Sequence, residues 1–196
     1  PRGSAVRARQ RPPVSGQFPD RPNAGRAGGG IRQTYDIAII GCGPAGLAAA
    51  LLLHADGHRV TLFERFEKAA PLGSGLMLQP SGMAVLDAMG LAHDTAVRGA
   101  RIDALFGKEA NGRIALDAPY AKLGDGTAFG IGIHRASLFD VLHERVQAAG
   151  IAIRTGHEVR DTKLESGMRR LVFADGRKSG RFDLAVDASG WASRIE

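Results

Sequence analysis

The feature that most restricts this chain is Gly41-Cys-Gly-Pro-Ala-Gly46, set directly between two apolar stretches. Before it, Tyr35-Asp-Ile-Ala-Ile-Ile is a short, mostly apolar run that suits a buried parallel strand. After it, Leu47-Ala-Ala-Ala-Leu-Leu-Leu-His-Ala-Asp consists of strong helix formers, and Gly57 supplies a C-terminal stop. Arg59-Val-Thr-Leu-Phe then reads as a second strand, closed by Glu64. The order strand, glycine turn, helix, strand is a βαβ unit with a right-handed crossover. The fold class that follows is α/β, Rossmann-like.

The chemistry of the turn depends on its residue types. Gly41 lets the chain bend sharply out of the strand. Gly43 has no side chain, so a diphosphate can approach the backbone. Gly46 lets the helix pack closely on the sheet. Pro44 and Ala45 complete the turn, and the helix N-terminus offers N–H groups and a positive dipole end. Glu64 lies 23 residues after Gly41, where a carboxylate accepts the hydroxyls of an adenosine ribose. A glycine turn with an unrelated glutamate is the alternative. It has to explain why Ala50, Leu53, Gly57, Val60 and Glu64 all fall in register.

Charge excludes a nucleic-acid reading for the folded part. The formal charge is +6. Residues 1–34 hold seven arginines and one aspartate, whereas residues 35–196 balance 19 basic against 19 acidic side chains. The leader is rich in Arg, Pro, Gly and Ser, has no periodic apolar pattern, and reads as disordered. It lacks the apolar core of a secretion signal, and the single Cys42 excludes a disulfide-built secreted scaffold. The expectation is a cytoplasmic protein with no membrane span: the apolar run Ile37 to Leu53 is interrupted by glycines and a proline. The six histidines have no metal-ligand spacing, and there is no GxSxG, so neither a metal site nor nucleophilic hydrolysis is expected.

Three later segments carry a resemblance. They are Pro71-Leu-Gly-Ser-Gly-Leu-Met-Leu-Gln-Pro-Ser-Gly running on to Gly90-Leu91, Gly132-Ile-His-Arg-Ala-Ser-Leu, and Phe182-Asp-Leu-Ala-Val-Asp-Ala-Ser-Gly-Trp-Ala-Ser193. With the glycine turn and Glu64, their order and spacing resemble FAD-dependent monooxygenases of the p-hydroxybenzoate hydroxylase type, over residues 35 to 196. The resemblance implies an FAD-binding domain with part of an inserted antiparallel β substrate layer. It also implies NADPH or NADH as electron donor, O₂ as co-substrate, and hydroxylation of an aromatic or other hydrophobic small molecule. The hard chemistry is then the cofactor's, and no catalytic side chain is named.

The same resemblance implies roles for further residues. Arg135 lies by the FAD, Gln79 sits in the loop that reaches the flavin, and Asp187, Ser189 and Gly190 form a fingerprint at the flavin diphosphate. Arg65 either stacks on adenine or is a surface arginine. Ser189 stands where the family carries Asp, which leaves the nicotinamide preference open. Asp187-Ala-Ser-Gly190 is also similar to halogenases and lipid-chain reductases, so an FAD-dependent reductase or halogenase is a second reading. The chain ends just past the fingerprint, where the family continues for roughly as many residues again. The expectation is an incomplete FAD-binding domain over 35–196, inactive alone, with a non-catalytic fragment as the third reading.

The remaining pattern fits. Arg101-Ile-Asp-Ala-Leu-Phe and Arg113-Ile-Ala-Leu-Asp flank an Asn-Gly turn, predicting a hairpin within 99–132. Ser137 to Ala149 has Leu138, Val141, Leu142 and Val146 on one helical stripe. Ile151 to Arg154 and Phe182 to Val186 read as further parallel strands, and 158–165 with 169–173 as another hairpin.

Overall fold

The computed structural model describes residues 33–70, 73–190 and 193. Apart from Gln33 and Thr34, the basic leader lies outside the described residues, as do Pro71, Leu72 and Trp191. The elements run β1 (Asp36–Ile40), α1 (Pro44–Ala55), β2 (Arg59–Phe63), β3 (Gly75–Leu78), α2 (Pro80–Ala88), α3 (Ala92–Ala96), β4 (Ala100–Ile102) and β5 (Ala104–Lys108). They continue with β6 (Ile114–Pro119), a 3₁₀ turn (Tyr120–Lys122), β7 (Gly130–His134), α4 (Arg135–Ala148) and β8 (Ala152–Arg154). The last four are β9 (Val159–Glu165), β10 (Met168–Phe173), β11 (Lys178–Phe182) and β12 (Leu184–Asp187).

The central sheet is parallel, in the order β12-β1-β2-β8. Because side chains alternate along a strand, β1 serves two cores at once. Ile37 and Ile39 pack with Leu47 and Ala50 of α1 and with Leu138, Leu142 and Val146 of α4. Ala38 and Ile40 pack with Phe63 and with Leu171 and Phe173 of β10. The result is three layers: helices, parallel sheet, and the antiparallel sheet β11-β10-β9. Burying each Ile or Leu of this kind is worth roughly 1.5–3 kcal/mol. At the sheet's base, Arg59 donates two hydrogen bonds to the Asp36 carboxylate, at 2.5 and 2.6 Å, tying the start of β2 to that of β1.

The α/β Rossmann-like class, the βαβ unit and the α4 stripe match the expectation, while three details differ. Helix α1 starts at Pro44 rather than Leu47, because proline's fixed φ suits the first helical position. Gly75–Leu78, expected as loop, is a strand: β3 pairs antiparallel with β7, and Leu76 and Leu78 pack against the helix-side core. Four residues that begin at Gly75, two places after Gly73, gave no alternation to read.

The third difference concerns strand breaks. The first arm of the 99–132 hairpin divides at Asp103, so that β4 pairs with β7 while β5 pairs with β6. The run expected from Phe182 to Val186 divides at Asp183, with Phe182 ending β11 and Leu184 opening β12. Asp183 marks the crossing between sheets: its carboxylate accepts the Asp36 N–H at 2.7 Å and its own N–H donates to the Asp36 carbonyl at 2.8 Å.

Candidate functional site

The carboxyl ends of β1, β2 and β12 meet at one place, where an open parallel sheet holds its ligands. Gly41 leaves β1 with φ +101°, a conformation that favours glycine, and its N–H donates to the Phe63 carbonyl at 2.8 Å. The Ala188 N–H donates to the Ile40 carbonyl at 2.8 Å, which sets the fingerprint directly behind the turn. A Cβ on Gly41 would stand 2.6 Å from the Ala188 oxygen, and one on Gly46 only 2.1 Å from the Gly41 oxygen. Both glycines are therefore required by packing. Gly43 is different: a Cβ there meets nothing within 4 Å. Gly43 is also the N-cap of α1, and no side chain caps that helix end. Open space above a side-chain-free N-cap is what a diphosphate needs to reach the backbone and the helix dipole.

Glu64 braces this turn. It is 8% exposed, its Oε2 accepts the Cys42 N–H at 2.9 Å and its Oε1 accepts the Phe66 N–H at 3.1 Å. A carboxylate has about four acceptor positions, so two remain beyond these bonds. Arg65 next to it is exposed, with its guanidinium 4.6 Å from the centroid of the Phe66 ring. Burial pushes the Cys42 thiol up to about 12, with the Glu64 charge adding to the effect, so Cys42 is a packing residue and stays protonated.

The fingerprint loop is organised by Asp187. Its Oδ1 accepts the Ser189 N–H at 2.9 Å and the Ser189 hydroxyl at 2.6 Å, and Oδ2 accepts the Ser193 hydroxyl. Burial pushes the Asp187 carboxyl up, but the hydrogen bonds from the Ser189 hydroxyl, the Ser193 hydroxyl and the Ser189 N–H outweigh it. The net result lies below the usual carboxylate range. The Ser189 hydroxyl is thus turned toward Asp187, and Gly190 takes φ +91°.

The remaining expected residues stand on the β3-β7-β4 sheet. Arg135 opens α4; its N–H donates to the Ser74 carbonyl at 3.1 Å and its guanidinium lies against Gly73. Gln79 caps α2 at the other end of β3 and accepts the hydroxyl of Tyr120, a residue only 5% exposed. The structure therefore brings Gly41, Gly43, Gly46, Glu64, Asp187 and Ser189 together, and places Arg135 and Gln79 at opposite ends of the β3–β7 ladder. Sequence reasoning missed three contributors: Ala188 as the wall behind the turn, Phe66 as donor to Glu64, and Tyr120 as the partner of Gln79. Tyr120 had a signal, since a buried tyrosine usually finds a polar partner.

Among the described residues, no group of His, Cys, Asp or Glu is gathered so as to hold a metal ion, and no helix is long and apolar enough to cross a membrane.

Comparison with known proteins agrees with this geometry. The family described as FAD binding domain matches residues 34–193. The chain is 34% identical over 164 residues to 6-methylpretetramide 4-monooxygenase of Streptomyces rimosus, which covers 82% of this chain and 39% of that protein. It is 33% identical over 163 residues to 3-amino-4-hydroxybenzoate 2-monooxygenase of Streptomyces cremeus, covering 79% and 39%. Among solved structures, 2-methyl-3-hydroxypyridine-5-carboxylic acid oxygenase shares the fold with a TM-score of 0.70 at 24% identity, covering 84% of this chain and 42% of that one. The chain spans about two fifths of the length of these relatives. The open N-cap at Gly43, the buried brace at Glu64 and these matches place the chain in the FAD binding domain family, within the p-hydroxybenzoate hydroxylase-like group of flavoproteins.

Proposed function

We propose that this chain forms the FAD-binding part of a flavin monooxygenase that hydroxylates an aromatic or other hydrophobic small molecule, with O₂ as oxidant and NADPH or NADH as electron donor. The observation that carries the reading is the open space over Gly43 at an uncapped helix N-terminus, flanked by two glycines whose Cβ positions are filled by backbone. The relatives from the two Streptomyces species are named as monooxygenases, one of a hydroxybenzoate. A cytoplasmic location belongs to the same proposal.

When bound, FAD supplies the two-electron and oxygen chemistry that side chains lack. The chain's own residues bind and orient. The N-terminus of α1 would hold the diphosphate by its dipole and by the backbone N–H groups of residues such as Gly43 and Ala45, with Pro44 shaping the first turn but donating no N–H. Glu64 uses its two spare acceptor positions for the adenosine ribose, and the Arg65–Phe66 pair offers an exposed platform beside it. Arg135 brings a guanidinium, a shape suited to phosphate. Tyr120 holds the Gln79 side chain, which would reach toward the flavin, and Asp187 fixes Ser189, next to Gly190, in the loop behind the turn. The β5–β6 hairpin is the first piece of the substrate layer.

Flavin uptake tests the reading. Purified protein is expected to bind FAD with the absorbance of a protein-held flavin, and the apo form to take up FAD more tightly than NADH. Saturable NADH binding without flavin uptake overturns it.

A further inference from the structure

The face of the parallel sheet that carries the antiparallel layer has a second cleft, of about 290 Å³. None of the residues assigned above lines it. Its wall is aromatic, with Phe63 and Phe173 each only 6% exposed: their ring centroids are 5.7 Å apart, and the part-buried His157 meets Phe173 edge-on at 5.0 Å. Its rim is cationic, formed by Arg154, Arg177 and Lys178. Arg154 is there because it pairs with Phe63 across β2 and β8 and so shares its face. The β10–β11 pairing shifts register between Arg170 and Val172, and such irregularities re-aim side chains.

Of the three charges on this rim, one is paired. Arg177 shares its guanidinium with Asp175 at 2.5 Å. Among the described residues, no carboxylate pairs with Arg154 or Lys178 within 4.0 Å. Residues 154–182 hold eight basic and four acidic side chains, whereas the rest of 35–196 holds 11 basic and 15 acidic ones. Two unpaired cations beside an apolar wall attract a ligand that is itself half apolar and half anionic. The volume sits at the low end of small-molecule sites, enough for one ring and too small for a dinucleotide.

We propose that this cleft binds a small aromatic carboxylate, its acid group held by Arg154 and Lys178 and its ring against the Phe173–His157 wall. The probe is benzoate, titrated into the full chain and followed by amide NMR shifts, with inorganic phosphate in parallel. Saturable benzoate binding is expected, with the largest shifts at His157 and across Phe173 to Gly180. The double variant Arg154→Gln/Lys178→Gln should bind at least about tenfold more weakly, whereas Arg160→Gln/Lys163→Gln, equal in charge but off the cleft, should bind as the parent does. Three results overturn the proposal: no saturation at millimolar benzoate, equal loss in both double variants, or phosphate binding as tightly as benzoate. Because the shift map comes from the parent chain, it decides the matter even where a variant folds poorly.

Discussion

The Oε2 atom of Glu64 accepts the backbone N–H of Cys42 at 2.9 Å, so the carboxylate that ends β2 closes the turn that leaves β1. With Oε1 on the Phe66 N–H, one buried side chain fixes the glycine turn on one side and the loop after β2 on the other. A residue expected only to hold ribose is thus also a structural brace.

Glu64→Ala therefore should act twice. It leaves two N–H groups short of an acceptor, at about 1–3 kcal/mol for each that stays dry, and it removes the ribose acceptor. The melting temperature should fall and FAD affinity should drop by more than about tenfold, whereas Glu67→Ala, at an exposed position three residues on, should leave both near the parent values. Equal dissociation constants for the two variants would count against the ribose assignment.

The Asp187 loop gives a pH prediction. Its carboxyl is held below its ordinary 3.8 in the folded chain, so its contribution is complete above that value and is lost as pH falls through the lower folded value. The parent and Asp187→Asn should differ in melting temperature at neutral pH and converge below pH ~4. A difference that persists unchanged into strong acid rejects the ionised carboxylate as the loop's organiser.

Tyr120→Phe should cost about 1 kcal/mol, because the Gln79 side-chain oxygen loses its donor in a part-buried place. For a chain of this size that is a shift of roughly 2–4 °C, read by thermal melting. No shift would show that Gln79 finds a solvent donor instead.

What was legible in the sequence is what local physics dictates. The βαβ unit was readable because Gly41, Gly43, Gly46 and Glu64 each answer a separate steric or polar demand at fixed spacing. The α4 stripe was readable because Leu138, Val141, Leu142 and Val146 are all buried on one side. The β3 strand was not, since Gly75–Leu78 becomes extended only through pairing with a segment more than fifty residues away. The break at Asp183 was hidden for the same reason, because its partner is Asp36. The turning of Ser189 toward Asp187 depended on side-chain geometry that residue types alone leave open.

The three glycines of the turn should separate packing from ligand binding. Gly46→Ala puts a methyl 2.1 Å from the Gly41 oxygen, and Gly41→Ala puts one 2.6 Å from the Ala188 oxygen at a positive φ. Backbone atoms cannot swing aside, so both should lower stability by about 3 kcal/mol or more, seen as a large fall in melting temperature without any ligand. Gly43→Ala has no such clash, and its φ of −75° is open to alanine. The only loss to the fold is the weaker N-cap, about 1 kcal/mol at most. Its methyl, though, would stand in the space the diphosphate must enter. Gly43→Ala should therefore fold close to the parent in the absence of FAD while binding FAD more than about tenfold more weakly. Melting of the apo forms and FAD titration of Gly43→Ala check the two halves separately. A Gly43→Ala chain that folds normally and keeps full FAD affinity would remove the diphosphate from this turn, and with it the assignment of the α1 N-terminus as the phosphate site.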